Sequence, residues 1–181
     1  MSDVKNVIFV LNNLSDYEKL TSSNEGSQTY VLDASKDVLS QMADILKDYS
    51  NLDAIHLFSH GSDGSLDLGS TSLNSYTLAE NASVLSSIGA SLSEDGDMLL
   101  YGCNVAQGQT GVEFINKLAQ ATAADIAASD DLTGSSALGG DWVLESASGT
   151  IEAPVMNLLA YTGILANPYV MNDKIDEGKD I

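Results

Sequence analysis

The stretch Leu52–Gly61, "LDAIHLFSHG", runs apolar for most of its length and then passes straight into Ser59-His60-Gly61. A second stretch, Asp97–Asn104, "DMLLYGCN", does the same and ends on Gly102-Cys103. Apolar runs of this length, bounded by small residues and turn formers, predict strands buried on both faces, as in a parallel sheet. Working outward, Val4–Leu11, Thr29–Leu32 and Asp125–Ser129 read as further strands, with Leu52–Ser59 and Asp97–Gly102 as the third and fourth. Between them lie amphipathic stretches: one following Asp33-Ala34-Ser35, whose side chains suit a helix cap, and running to Tyr49; one over Tyr76–Leu92; one over Thr110–Ala123. Alternation of this kind predicts an α/β domain with a mostly parallel sheet and helices on both faces. His60–Asn74 and Gly139–Ala153 read as small added hairpins, the second turning at Ser148-Gly149 with Trp142 anchoring the core. Whether Met156–Leu165 is strand or helix stays open.

The chain has 181 residues, the size of one compact domain, and 44% of them are apolar against 18% charged, a globular composition. Residues 1–166 are expected to form that domain, and 167–181, polar and acidic after Pro168, to form a linker or tail. Seven Lys and Arg face 26 Asp and Glu, a net charge of −19, which argues against nucleic acid and anionic membrane surfaces as partners. Such a surface suits a calcium-rich exterior, with calcium as a structural or activating ion. The acidic groups Asp63/Asp67, Glu94-Asp95/Asp97, Asp130-Asp131 and Asp173/Asp176-Glu177 lack EF-hand spacing, so the ligands of any metal stay unassigned. A single cysteine, Cys103, excludes an internal disulfide, and with two histidines a Cys/His zinc site is hard to assemble. No apolar run is long enough to span a bilayer, and the N-terminal stretch lacks the features of a signal peptide.

The two strand ends carry the chemistry. In a parallel sheet, function gathers at the carboxyl ends of the strands, so neighbouring strands would bring His60 and Cys103 within about one strand spacing, roughly 4.8 Å between backbones. A thiolate is the attacking species, and His60 is placed to favour its formation and to protonate a leaving amine. Gly61 and Gly102 permit close approach of a substrate backbone, and the amides of Gly61 and Cys103 would hold a developing oxyanion. His56, about 13 Å back along an extended strand, cannot share a metal with His60 and reads as a hydrogen-bonded core residue. A nucleotide-binding reading is weakened because "NNLSDYEKL" after the first strand has no glycine-rich phosphate cradle.

The Ser59-His60-Gly61 and Gly102-Cys103 pair resembles the catalytic signature of the caspase-like clan of cysteine peptidases, which includes caspases, legumains, gingipains, clostripain and the self-cleaving domains of RTX toxins. The segments "VLDASKDVLSQMADIL", "LDAIHLFSHGSDGSLDLGST", "DMLLYGCNVAQGQTG" and "ADIAASDDLTGSSALGGDWVLESASGTIEA" resemble a domain family near the N-termini of giant bacterial surface adhesins with cadherin-like or RTX repeats. Together these imply a caspase-like three-layer sandwich over Val4–Ala166, with His60 as general acid and base, Cys103 as nucleophile and no cofactor required for the chemistry. They imply a secreted or surface-bound endopeptidase that processes its own parent adhesin, in cis, or a neighbouring surface protein. The alternative is a catalytically silent structural or interaction module of such an adhesin. The resemblance also points to Ser129, Asp130 and Asp131, after the fifth strand, as specificity-pocket residues. A carboxylate at the pocket base would favour Lys or Arg at the cleaved residue; aspartates turned to solvent would leave a small apolar pocket that prefers Leu or Ala.

Overall fold

The structure, a computed structural model, describes residues 4–21 and 25–166. The expected acidic tail 167–181, with Asp173, Asp176 and Glu177, lies outside the described residues. Nine strands are described: β1 (Asn6–Leu11), β2 (Ser27–Leu32), β3 (Leu52–Phe58), β4 (His60–Ser62), β5 (Ser65–Asp67), β6 (Ser72–Asn74), β7 (Leu92–Tyr101), β8 (Asp125–Ala128) and β9 (Ser146–Ala147). Three α-helices join them: α1 (Val38–Leu46), α2 (Ala82–Gly89) and α3 (Gly108–Thr122). The main sheet has the order β2-β1-β3-β7-β8-β9 and is parallel except for β9 at its edge. This is the mostly parallel α/β sandwich that the alternating pattern predicts.

Burial explains the strand sequences. Val7 to Leu11 are all buried, and Ala54 to Phe58 likewise, because both sheet faces are covered. The crossovers through α1, α2 and α3 all step in one direction across the sheet, so right-handed connections place these helices in a row on one face. The opposite face, carrying Ile8, His56, Phe58 and Tyr101, is met by residues 142–158, which among the described residues form no α-helix, so irregular chain stands where the alternating pattern predicts helices on both faces. There Trp142 stands edge-on to Phe58 and to Tyr161, with ring centroids 6.1 and 6.0 Å apart, and Phe58 stacks on Tyr101 at 4.3 Å.

Local chemistry moves several expected boundaries. Asp33 caps no helix: its Oδ1 accepts from the Ser35 amide and hydroxyl, closing a turn. The cap of α1 is Asp37, which accepts from the Ser40 amide at 3.0 Å. The second helix starts only at Ala82, because Asn74 Oδ1 accepts from the amides of Tyr76 and Thr77 and holds that stretch as a turn. The hairpin expected over 60–74 is a three-stranded meander, β4-β5-β6, whose first turn is Asp63-Gly64 with Gly64 at φ +68°. The hairpin expected over 139–153 does not form. Ser146–Ala147 pairs instead with the open edge of β8, and the amides of Glu152 and Ala153 turn away to the Asp97 carboxylate. Trp142 is a core anchor as expected, 8% exposed.

Residues 151–166 continue in extended, irregular form, tied by isolated bridges at Ile164 and Ala166. Among the described residues no helix is long and apolar enough to cross a membrane.

Candidate active site at the carboxyl ends of β3 and β7

Strands β3 and β7 are parallel neighbours in register, Phe58 opposite Tyr101, so both chains leave the sheet at the same level. The Ser59 amide donates to the Tyr101 carbonyl at 3.0 Å, extending the pairing by one residue beyond β3. The next residues, His60-Gly61 and Gly102-Cys103, are therefore in contact. A Cβ at Gly61 would lie 2.7 Å from the Cys103 carbonyl oxygen and 2.6 Å from Val105 Cγ2, and one at Gly102 would lie 3.1 Å from the Ser59 carbonyl oxygen. Only glycine at position 61 lets the two backbones meet.

Cys103 is fully buried. Its Sγ accepts from the Thr133 amide at 3.2 Å and faces the Thr133 carbonyl oxygen at 3.6 Å. Thr133 Oγ1 in turn donates to the Gly102 carbonyl at 3.1 Å, so residue 133 is tied to the Gly102-Cys103 segment by three contacts. Burial pushes the thiol up to about 11, against the lowering effect of the Thr133 and Leu165 backbone amides. At rest it is a protonated thiol.

His60 is half-buried, with Nε2 3.4 Å from the Asn13 carbonyl oxygen; Nδ1 is buried and has no hydrogen-bond partner among the described residues. The imidazole is not bonded to Cys103 in this state, whose sulfur is held by Thr133. His56 behaves differently. Its Nδ1 accepts from the Tyr101 hydroxyl at 2.9 Å, Nε2 lies 3.4 Å from Asn6 Oδ1, and burial holds its pKa down at about 4. It is the neutral, hydrogen-bonded core histidine that its position predicts.

The amides of Gly61 and Cys103 converge. Both donate to one acceptor, the carbonyl oxygen of Leu165, at 3.2 and 3.5 Å. Of the residues expected to shape the specificity pocket, Ser129 is buried and its Oγ donates to Asp131, while Asp130 and Asp131 are exposed. The Asp130 amide donates to Glu145. The segment does reach the site, four residues beyond Ser129, through Thr133. Neither Thr133 nor Leu165 is marked by any motif; Leu165 bonds the site through its backbone carbonyl and amide, and Thr133 through its backbone groups and its hydroxyl.

A cleft of about 520 Å³ runs between Gly134–Ser136, Trp142–Leu144 and Val155–Tyr161. It lies beside the residues leading to Leu165 and is lined by neither His60 nor Cys103.

The fold and this site define a mostly parallel α/β domain with a histidine and a cysteine at adjacent strand ends. The profile of a domain of unknown function, DUF4347, matches residues 7–165, and the chain belongs to that family. No curated protein matches it.

Proposed function

We propose that this domain is a cysteine endopeptidase of the caspase-like kind, with Cys103 as nucleophile and His60 as general acid and base, acting on polypeptide and first on its own chain. The observation that supports this reading is the convergence of the Gly61 and Cys103 amides on a single carbonyl oxygen beside the thiol. Two preorganised N–H donors aimed at one oxygen are what a tetrahedral intermediate requires. In the reaction His60 takes the thiol proton and Sγ bonds to the carbonyl carbon, while the oxygen gains negative charge against the two amides. The carbon–nitrogen bond then breaks as His60 returns the proton to the leaving amine. Water, deprotonated by the same imidazole, hydrolyses the thioester and restores the thiol. The raised thiol pKa makes the imidazole necessary, since at neutral pH the sulfur is not a thiolate on its own.

The setting proposed for this activity is outside the cell, at a bacterial surface, in the maturation or release of a larger adhesin, with calcium as the accompanying ion. A peptidyl chloromethyl ketone tests the chemistry. Wild-type protein should gain one adduct at Cys103 by mass spectrometry, Cys103→Ala none, and His60→Ala should react about 100-fold more slowly or less. Labelling at equal rates with and without His60, or none at all, would make the domain a silent module.

A further inference from the structure

The acceptor in the oxyanion site is not arbitrary. Residues 163–165 lie extended along residues 133–135: the Leu165 amide donates to the Thr133 carbonyl at 2.9 Å, the Ser135 amide donates to the Gly163 carbonyl at 2.8 Å, and Ile164 bridges Gly134 in antiparallel sense. This is how a peptide added to a strand edge is held, by main-chain bonds on one side. The two chains press together closely enough that a Cβ at Gly134, itself at φ +137°, would lie 2.4 Å from the Gly163 carbonyl oxygen. The Leu165 side chain is fully buried in the apolar core. The same residue therefore offers its amide to Thr133, its side chain to an apolar pocket and its carbonyl to the two converging amides, with the nucleophile's sulfur facing Thr133 beside it.

We infer that residues 163–165 are the domain's own substrate strand and that Leu165–Ala166 is the bond it cleaves, with an apolar residue, leucine first, preferred on the acyl side. This rests on the peptidase reading above. Sγ would bond to the Leu165 carbonyl carbon, the bond to the Ala166 nitrogen would break with His60 supplying its proton, and water would release a new carboxylate at Leu165. Asp130 and Asp131 are exposed, whereas the Leu165 side chain is buried in the apolar core, which favours an apolar residue there.

The test is the intact mass of the full chain over time between pH 6 and 9. Wild-type protein should yield a fragment ending at Leu165 and another beginning at Ala166, Cys103→Ala neither, and His60→Ala both at least 100-fold more slowly. Leu165→Asp should stop this cleavage. Because that variant places a charge in the core, Leu165→Met is the control that folds and still cuts. Cys103-dependent cleavage at another bond would preserve the peptidase and overturn this site. Ketone labelling of Cys103 without any cleavage of the chain would do the same, whereas neither labelling nor cleavage would overturn both. If Leu165 merely satisfies two buried amides, no Cys103-dependent fragment will appear.

A separate observation carries a second proposal. Asp97 is fully buried in β7; its Oδ2 accepts from the amides of Glu152 and Ala153 at 2.8 and 2.9 Å, while its Oδ1 has no partner among the described residues. Asp97, Asp125 and Glu152 bring carboxylate oxygens within 4.8 Å of one another. The missing side chain at Gly149 makes room for the Asp125 carboxylate, since a Cβ there would lie 2.1 Å from its Oδ1. The geometry points to a site for a hard divalent cation formed by Asp97, Asp125 and Glu152, with water completing an all-oxygen shell. After chelation, calcium at about 100 times its Kd should raise the Tm by about 5–10 °C. Asp125→Asn and Glu152→Gln, which spare the buried Asp97, should each abolish most of that rise. No rise in wild type, or an equal rise in both variants, would overturn the site.

Discussion

The two faces of the sheet are covered by opposite means. On one, three helices pack regular side-chain stripes: Val38, Leu39, Met42 and Leu46 on α1, and Phe114, Ile115 and Leu118 on α3. On the other, an irregular chain from Trp142 to Ala166 is held by separate devices: an aromatic cluster, a tyrosine hydroxyl, a buried carboxylate and two strand-end amides. The helical face distributes its energy over many apolar contacts. The irregular face combines an aromatic cluster and scattered apolar contacts with a few polar ties, and the candidate site lies at its Leu165 end. Local opening is cheaper where few contacts must break, which suits the proposed role of residues 163–165 as a substrate strand.

Three measurements would break or sharpen this contrast. The largest effect belongs to the helical face: Phe114→Ala, at a fully buried position, should lower unfolding free energy by about 3–5 kcal/mol in a denaturant titration, whereas half-buried Leu158→Ala should cost under about 2 kcal/mol. Equal costs would show that the irregular chain is as deeply built in as the helices.

The second concerns His56, beneath the irregular chain. Its folded pKa, about 4, lies below the ordinary 6.5, so the unfolded chain binds the proton first as pH falls. Its contribution is therefore complete above pH 6.5 and is lost as pH drops toward 4, about 3 kcal/mol in all. Stability measured at pH 7, 5.5 and 4.5 should fall through this window, and His56→Leu should flatten the slope; an unchanged slope would mean that other groups govern acid sensitivity.

The smallest effect is the most local. The Tyr101 hydroxyl donates to His56 Nδ1 and accepts from the Met156 amide at 3.0 Å, linking strand, histidine and covering chain. Tyr101→Phe should cost about 1–2 kcal/mol and speed hydrogen exchange at Met156 while leaving α3 unchanged. Uniform acceleration across the domain would mean that the two faces do not open separately.

Much of the helical face was readable from residue pattern. The strands at Val7–Leu11 and Leu52–Phe58 and the stripe on α1 show the periods that double burial and one-sided burial impose. Boundaries are less legible, because Asp33, Asp37 and Asn74 each suit a cap or a turn by residue type, and only the backbone conformation selects among them. The expected hairpin at 139–153 failed for a related reason: its alternation was real, but the edge of β8 and the Asp97 carboxylate offered partners that a reading of adjacent residues does not include.

By itself the sequence determined that this is a mostly parallel α/β domain and that His60, Gly61, Gly102 and Cys103 stand at strand ends, since strand period and glycine are local, residue-specific signals. Tertiary structure alone decided that the Leu165 carbonyl returns to the Gly61 and Cys103 amides, that Thr133 holds the sulfur, and that Asp97 meets Asp125 and Glu152. Backbone N–H and C=O groups are the same at every residue, so the contacts they make across long stretches of chain leave no mark in the sequence.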